Sequence, residues 1–326
     1  MEKKITFSEI WKEAKTLFKK NYLKVVPFML FIILMSMVSV IPVSFFGGSI
    51  LVKNAFDVIL SLILGPILSL STVYAMMKGT SVKESLTHIL KNWKGAFKTT
   101  YLVAGIIYSF IVILLSVAAL AVISSALGVL GTLITVLVGI AAFVFMIIMS
   151  FRYAFAIYLW VDKKIEGFKA LAASRELTKG KMGKVIGYLL LLYLILASII
   201  LLSSFAAAAL AVIAGGRILA AVLVGLIFLG FVLFVAPFAV AFMVSLYKGI
   251  LSLSETDLSE AKIKPLEKIA AVFGLIVFII IMGVSIFIPD NNQERQEPVN
   301  PGATSSVLEG DFSQTDESLN LGGGQN

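Results

Sequence analysis

Residues 101–150, YLVAGIIYSFIVILLSVAALAVISSALGVLGTLITVLVGIAAFVFMIIMS, contain no Asp, Glu, Lys, Arg or His. A helix rises about 1.5 Å per residue and a bilayer core is roughly 30 Å thick, so one crossing takes about 20 apolar residues. An uncharged run of 50 residues is therefore two crossings. They part most simply at the turn-prone cluster Ser124-Ser125-Ala126-Leu127-Gly128. The fold class follows: an all-α, polytopic transmembrane helical bundle.

Working outward, runs of crossing length occupy about 25–46, with Pro27 and Pro42 near its ends, and about 56–77, which contains Pro66. The stretch 185–247 holds one charge, Arg217, beside Gly215-Gly216, and reads as two crossings joined by a short hairpin. Pro237 is expected to kink the second of these. A last run, about 269–289, ends at Pro289. The count is seven: six core spans in three hairpins over residues 1–250, then an extra C-terminal span within 251–289. Segment 1–24 is too long for a signal n-region and no small-residue cleavage site follows, so the first span is expected to be retained. The 326 residues are 59% hydrophobic and 14% charged, with mean hydropathy +1.01. Soluble domains are about 25% charged, so a soluble enzyme is excluded.

The net charge of +8 raises the question of nucleic acid, and its distribution answers it. Residues 289–326 hold seven acids and one Arg, so the rest of the chain carries +14. Segments 1–24, 78–99, 162–184 and 248–268 contain 23 of the 27 basic residues; the opposite loops and tail hold Lys53, Arg217 and Arg295. That asymmetry is a positive-inside signal and not a nucleic-acid surface. It places the protein in the cell membrane with a cytoplasmic N-terminus and an extracytoplasmic tail. Trp11, Trp93 and Trp160 fall at the inner boundary. Residues 290–326, rich in Asn, Gln, Ser, Gly and acids, cannot bury enough apolar surface to order and read as a disordered acidic tail.

The basic segments carry apolar stripes. Phe7, Ile10, Trp11, Ala14, Leu17, Phe18 and Tyr22 recur at helical spacing, as do Val82, Leu86, Ile89, Leu90, Trp93, Phe97 and Tyr101. Segment 165–182 is a weaker version built on Ile165, Phe168, Leu171 and Ala172. Such helices lie in the membrane interface, or alternatively pack on a partner or on their own bundle. An internal repeat emerges: amphipathic helix, outward span, inward span, over about 6–78, 81–161 and 165–248. Each returning span closes on an aromatic and a charged turn, at Val73–Gly79, Tyr158–Lys163 and Leu246–Gly249.

Chemistry within the spans is scarce. There is no Cys and one His, His88, which reads as facing solvent or headgroups; no cofactor or metal is implied. Asp57 and Asp162 lie at span ends, and no carboxylate falls near a bilayer centre, unlike a coupled transporter or intramembrane protease. Arg152 is the exception. It is open to three readings: a guanidinium on lipid phosphate, a bundle-facing partner of a carbonyl or carboxylate, or simple snorkelling. The inner acids Asp162, Glu166 and Glu176 form the one nearby set, more simply a solvated charge mixture than a catalytic cluster. Gly180, Gly183 and Gly187 open the fifth span and suggest close helix approach, within the bundle or between protomers.

The stretch 151–180, FRYAFAIYLWVDKKIEGFKALAASRELTKG, resembles the signature of a family of bacterial and archaeal membrane proteins. That family includes the membrane domain attached to some glycerophosphoryl diester phosphodiesterases. Arg152, Asp162, Ala170, Ser174, Leu177 and Gly180 match its pattern, and 7–14 and 237–247 are similar to its outer portions. The resemblance implies a six-helix core over about 6–250 and marks Arg152, Asp162, Ser174 and Gly180 as lipid-headgroup or structural positions. A proline that the family often has after the arginine is missing here, and the seventh span and tail are additions. One histidine and no room for a barrel leave no phosphodiesterase centre.

The expectation is a non-enzymatic, multi-pass membrane protein that binds or organises membrane lipid, or a membrane-protein partner or second copy of itself. The alternative is a permease or channel component for an uncoupled or hydrophobic solute.

Overall fold

The computed structural model describes residues 5–38, 45, 47, 49–124, 128–213, 217–254 and 258–287, and among them no strand occurs. The helices are α1 Phe7–Val38, α2 Ile50–Lys78, α3 Val82–Lys91, α4 Trp93–Ser124, α5 Gly128–Tyr153 and α6 Ala156–Lys163. After these come α7 Gly167–Thr178, α8 Met182–Ile213, α9 Arg217–Gly230, α10 Ala236–Ser252 and α11 Pro265–Ser285. Local chemistry sets their ends. Thr6 and Glu9 form a reciprocal cap on α1, the Glu9 carboxylate accepting the Thr6 N–H at 2.9 Å and the Thr6 hydroxyl accepting the Glu9 N–H at 3.3 Å. Ser81 and Glu84 do the same for α3. Gly79, at φ +66°, closes α2 in the left-handed conformation that glycine adopts without strain.

Six segments are long and apolar enough to cross a bilayer: Ile50–Lys78, Trp93–Val117, Gly131–Lys163, Met182–Leu210, Gly225–Ser252 and Pro265–Ser285. The chain is a multi-pass membrane protein. The expected first span, 25–46, is met only through the second half of α1, because residues 39–44 lie outside the described residues. The tail 290–326 also lies outside them.

Each striped segment turns residues toward the bundle. The stripe of 6–23 continues into the first span as one helix, α1, and its apolar side turns inward. Ile10, Ala14, Val25 and Phe28 are buried, and Trp11 sits edge-on to Phe238 of α10 at 4.8 Å. Ring burial favours this arrangement, because the aromatics of α10 cover more apolar surface than headgroups can. The second stripe splits at Asn92, whose N–H and side-chain amide both donate to the His88 carbonyl. Ser85 and Ile89 of α3 face the bundle, while Leu90 and Trp93 stay exposed. The third segment is a core helix: Ala170–Arg175, Leu177 and Thr178 of α7 are buried.

Three further features concern the spans. The fourth is broken by a turn at Ala154–Phe155 that separates α5 from α6. The kink expected at Pro237 takes the form of a π-helical turn, Phe231–Val235, immediately before it. A proline ring cannot sit over the carbonyl four residues back, and the wider turn relieves that clash. The C-terminal span is no appendage. Helix α11 runs against α4 so closely that a Cβ on Gly274 would overlap the Gly105 carbonyl, and one on Gly105 the Ala271 carbonyl. By contrast, a Cβ at Gly180, Gly183 or Gly187 would meet nothing within 4 Å, so those glycines mediate no close approach among the described residues.

Candidate functional site

The three returning turns of the repeat meet at one carboxylate. The Lys78 ammonium, ending α2, lies 2.7 Å from Asp162 Oδ1, and the Tyr247 hydroxyl of α10 donates to Asp162 Oδ2 at 3.2 Å. Tyr158, one turn before Asp162 on α6, stacks on Tyr247 with centroids 5.8 Å apart. Helix α1 joins the same end: the Asn21 amide donates to the Met76 carbonyl at 3.0 Å, and the Lys24 ammonium to the Gly79 carbonyl. Asp162 is thus a tie between hairpins. His88 stacks on Tyr74 at 4.2 Å instead of facing solvent or headgroups alone. Burial, then the charges of Lys164 and Lys78, push its pKa below the ordinary value.

The break after α5 creates a second feature. The turn at Ala154–Phe155 interrupts the helical ladder, and the Arg152 carbonyl accepts the Ser174 hydroxyl at 2.8 Å. Ser174, fully buried on α7, therefore pins the break to the core helix. Arg152 is half-buried, and among the described residues its guanidinium makes no hydrogen bond or ion pair, though its charge acts on the neighbouring Tyr153 hydroxyl. Gly180 turns the chain from α7 into α8 at φ +71°, a conformational role with open space around it.

Arg175, which sequence reasoning passed over as one basic residue among seven in 162–184, is 5% exposed. Its guanidinium lies 2.5 Å from Glu267 of α11 and 3.0 Å from Glu176, and donates to the Lys262 carbonyl at 2.9 Å. A buried guanidinium needs this many acceptors, since desolvation would otherwise exclude it. Burial opposes ionisation of Glu176, but the Arg175 hydrogen bond and the Lys179 charge outweigh it and hold the pKa below the ordinary value. The presumed acid set Asp162, Glu166 and Glu176 is not a set. Asp162 takes Lys78 and Tyr247, Glu176 takes Arg175, and Glu166 lies against Gly95, where a Cβ would overlap its carboxylate.

Above the Arg175–Glu267 pair, α4, α5 and α11 enclose a groove of about 320 Å³. Its walls are apolar, with Phe110, Phe145, Met149 and Phe273 among them, and Tyr153 and Glu267 stand at one end. The Tyr153 hydroxyl faces the Glu267 carboxylate. Compared with family models, curated proteins and solved structures, the chain matches none of them.

Two signals could have found the missed pair. Arg175 is the one arginine among the lysines of 162–184, and guanidinium is the cation that buried carboxylates hold best. Glu267 is the lone acid between Lys262 and Lys268, two residues after the helix-opening Pro265. Nothing in the spacing paired Lys78 with Tyr247, because their meeting depends on how the hairpins pack.

Proposed function

We propose that this protein binds and organises anionic lipid at the inner face of the cell membrane and carries out no catalysis. The observation that supports this most is Arg152: half-buried at the end of α5, beside the groove-lining Tyr153, and without a hydrogen bond or ion pair among the described residues. An arginine at that depth suits a phosphate, which it grips with two parallel N–H donors. Lysines gather at the same end of the bundle, and anionic headgroups of the cytoplasmic leaflet attract such basic segments. The proposed orientation follows: N-terminus cytoplasmic, tail outside. The apolar lining of the groove suits a lipid better than a polar solute, which favours this reading over a permease.

Kinship with the membrane domains of glycerophosphoryl diester phosphodiesterases is part of the proposal. It draws support from the Ser174–Arg152 contact, since both residues belong to the resembling motif. Native mass spectrometry tests the function. Released from phosphatidylglycerol-containing membranes, the wild type retains that lipid, and Arg152→Ala loses most of it while Lys91→Ala does not. Equal retention in all three contradicts a phosphate site at Arg152.

A further inference from the structure

Resting on that lipid reading, we infer that the groove between α4, α5 and α11 seats one acyl chain of an anionic phospholipid whose phosphate stands at Arg152. At one end of the groove stand Tyr153, which closes α5, and Glu267, in the first turn of α11. Both helices have their basic-rich end there, so the slot runs from the headgroup level into the apolar layer. Next to Tyr153 on α5 is Arg152, and next to Glu267 on α11 is Lys268, whose ammonium lies 5.7 Å from the Phe168 ring.

Charge bookkeeping at this rim points to an anion. The Glu267 carboxylate is committed to the buried Arg175 at 2.5 Å, which leaves Arg152, whose charge acts on Tyr153, and Lys268, the sequence neighbour of Glu267, as cations near that end of the slot. A phosphate over a hydrocarbon chain is the complement of that arrangement. At about 320 Å³ the groove sits near the low end of ligand pockets and has room for one chain. A second hollow of about 290 Å³, bordered by Trp11, Ile199, Phe234 and Phe238, has no charged residue in its lining. It provides an internal control for ordinary lipid contact.

The full-length protein is reconstituted in phosphatidylglycerol vesicles containing a trace of the same lipid with a diazirine near the end of one acyl chain. After illumination, adducts are mapped by peptide mass spectrometry. Adducts are expected to concentrate at Phe110, Phe145 and Phe273. They should fall about tenfold, the equivalent of about 1.4 kcal/mol, in Ala270→Phe and in Ile113→Trp, which fill the slot from two different walls. Adducts around Ile199 and Phe234 should not change. Labelling spread evenly over the lipid-facing helices, or unaltered by both substitutions, overturns the seat. A phosphatidylcholine probe separates the two ideas: equal groove labelling with it leaves the chain seat standing and overturns the phosphate reading of Arg152.

Discussion

Arg175 shows how much a single buried charge ties together. Its guanidinium joins α7 to α11 through Glu267 and the Lys262 carbonyl, with little water to compensate a lost partner. Glu267→Gln is expected to cost about 3 kcal/mol, the usual penalty for breaking a buried pair. Glu176→Gln should cost under about 1 kcal/mol, since that carboxylate is 26% exposed and water can take its place. Thermal melts in detergent read both, and a larger loss from Glu176→Gln would contradict the ranking. His88 supplies a pH test. Its folded pKa is lowered, so the unfolded chain holds the proton more readily. Stability is therefore full above about pH 6.5 and declines as pH falls from there through the folded pKa. His88→Phe, which keeps a ring on Tyr74, should flatten that slope. At this scale the sequence was legible in part. Arg152 stood out because it interrupts an apolar run, whereas Arg175 lay hidden among lysines of a segment that looked solvated.

Among the elements, the α4–α11 pair carries the clearest expectation. Backbones meet at Gly105 and Gly274, so Gly274→Ala forces the helices apart and should cost about 1–3 kcal/mol, as overpacking does. Gly183→Ala meets nothing within 4 Å and should stay within about 0.5 kcal/mol. Gly180→Ala is intermediate: its surroundings are open, but φ +71° costs an alanine about 1–2 kcal/mol. The three melts together separate close packing from backbone conformation. Here hydrophobic run length located the spans well, because a bilayer imposes it directly. Which glycines touch another helix was not legible, since glycine recurs in many spans and its meaning depends on the partner face. The stripe of α1 likewise announced a buried side without saying whether lipid or the rings of Phe238 and Phe242 would cover it.

For the whole molecule, the distribution of charge is the organising fact. Lysine and arginine gather in four segments at one end of the bundle, where Asp162 ties three hairpins together and Arg152, with no hydrogen bond or ion pair among the described residues, adjoins the groove-lining Tyr153. The lipid reading depends on that end facing the cytoplasm, where anionic headgroups lie. The chain contains no cysteine, so single cysteines can be introduced without interference. Accessibility to a membrane-impermeant thiol reagent in intact cells is the most direct test. On the proposed seven-crossing topology, a cysteine at Ser305 should label from outside, and one at Lys91 only after the cells are opened. Labelling of Lys91 in intact cells, or protection of Ser305, would contradict the account.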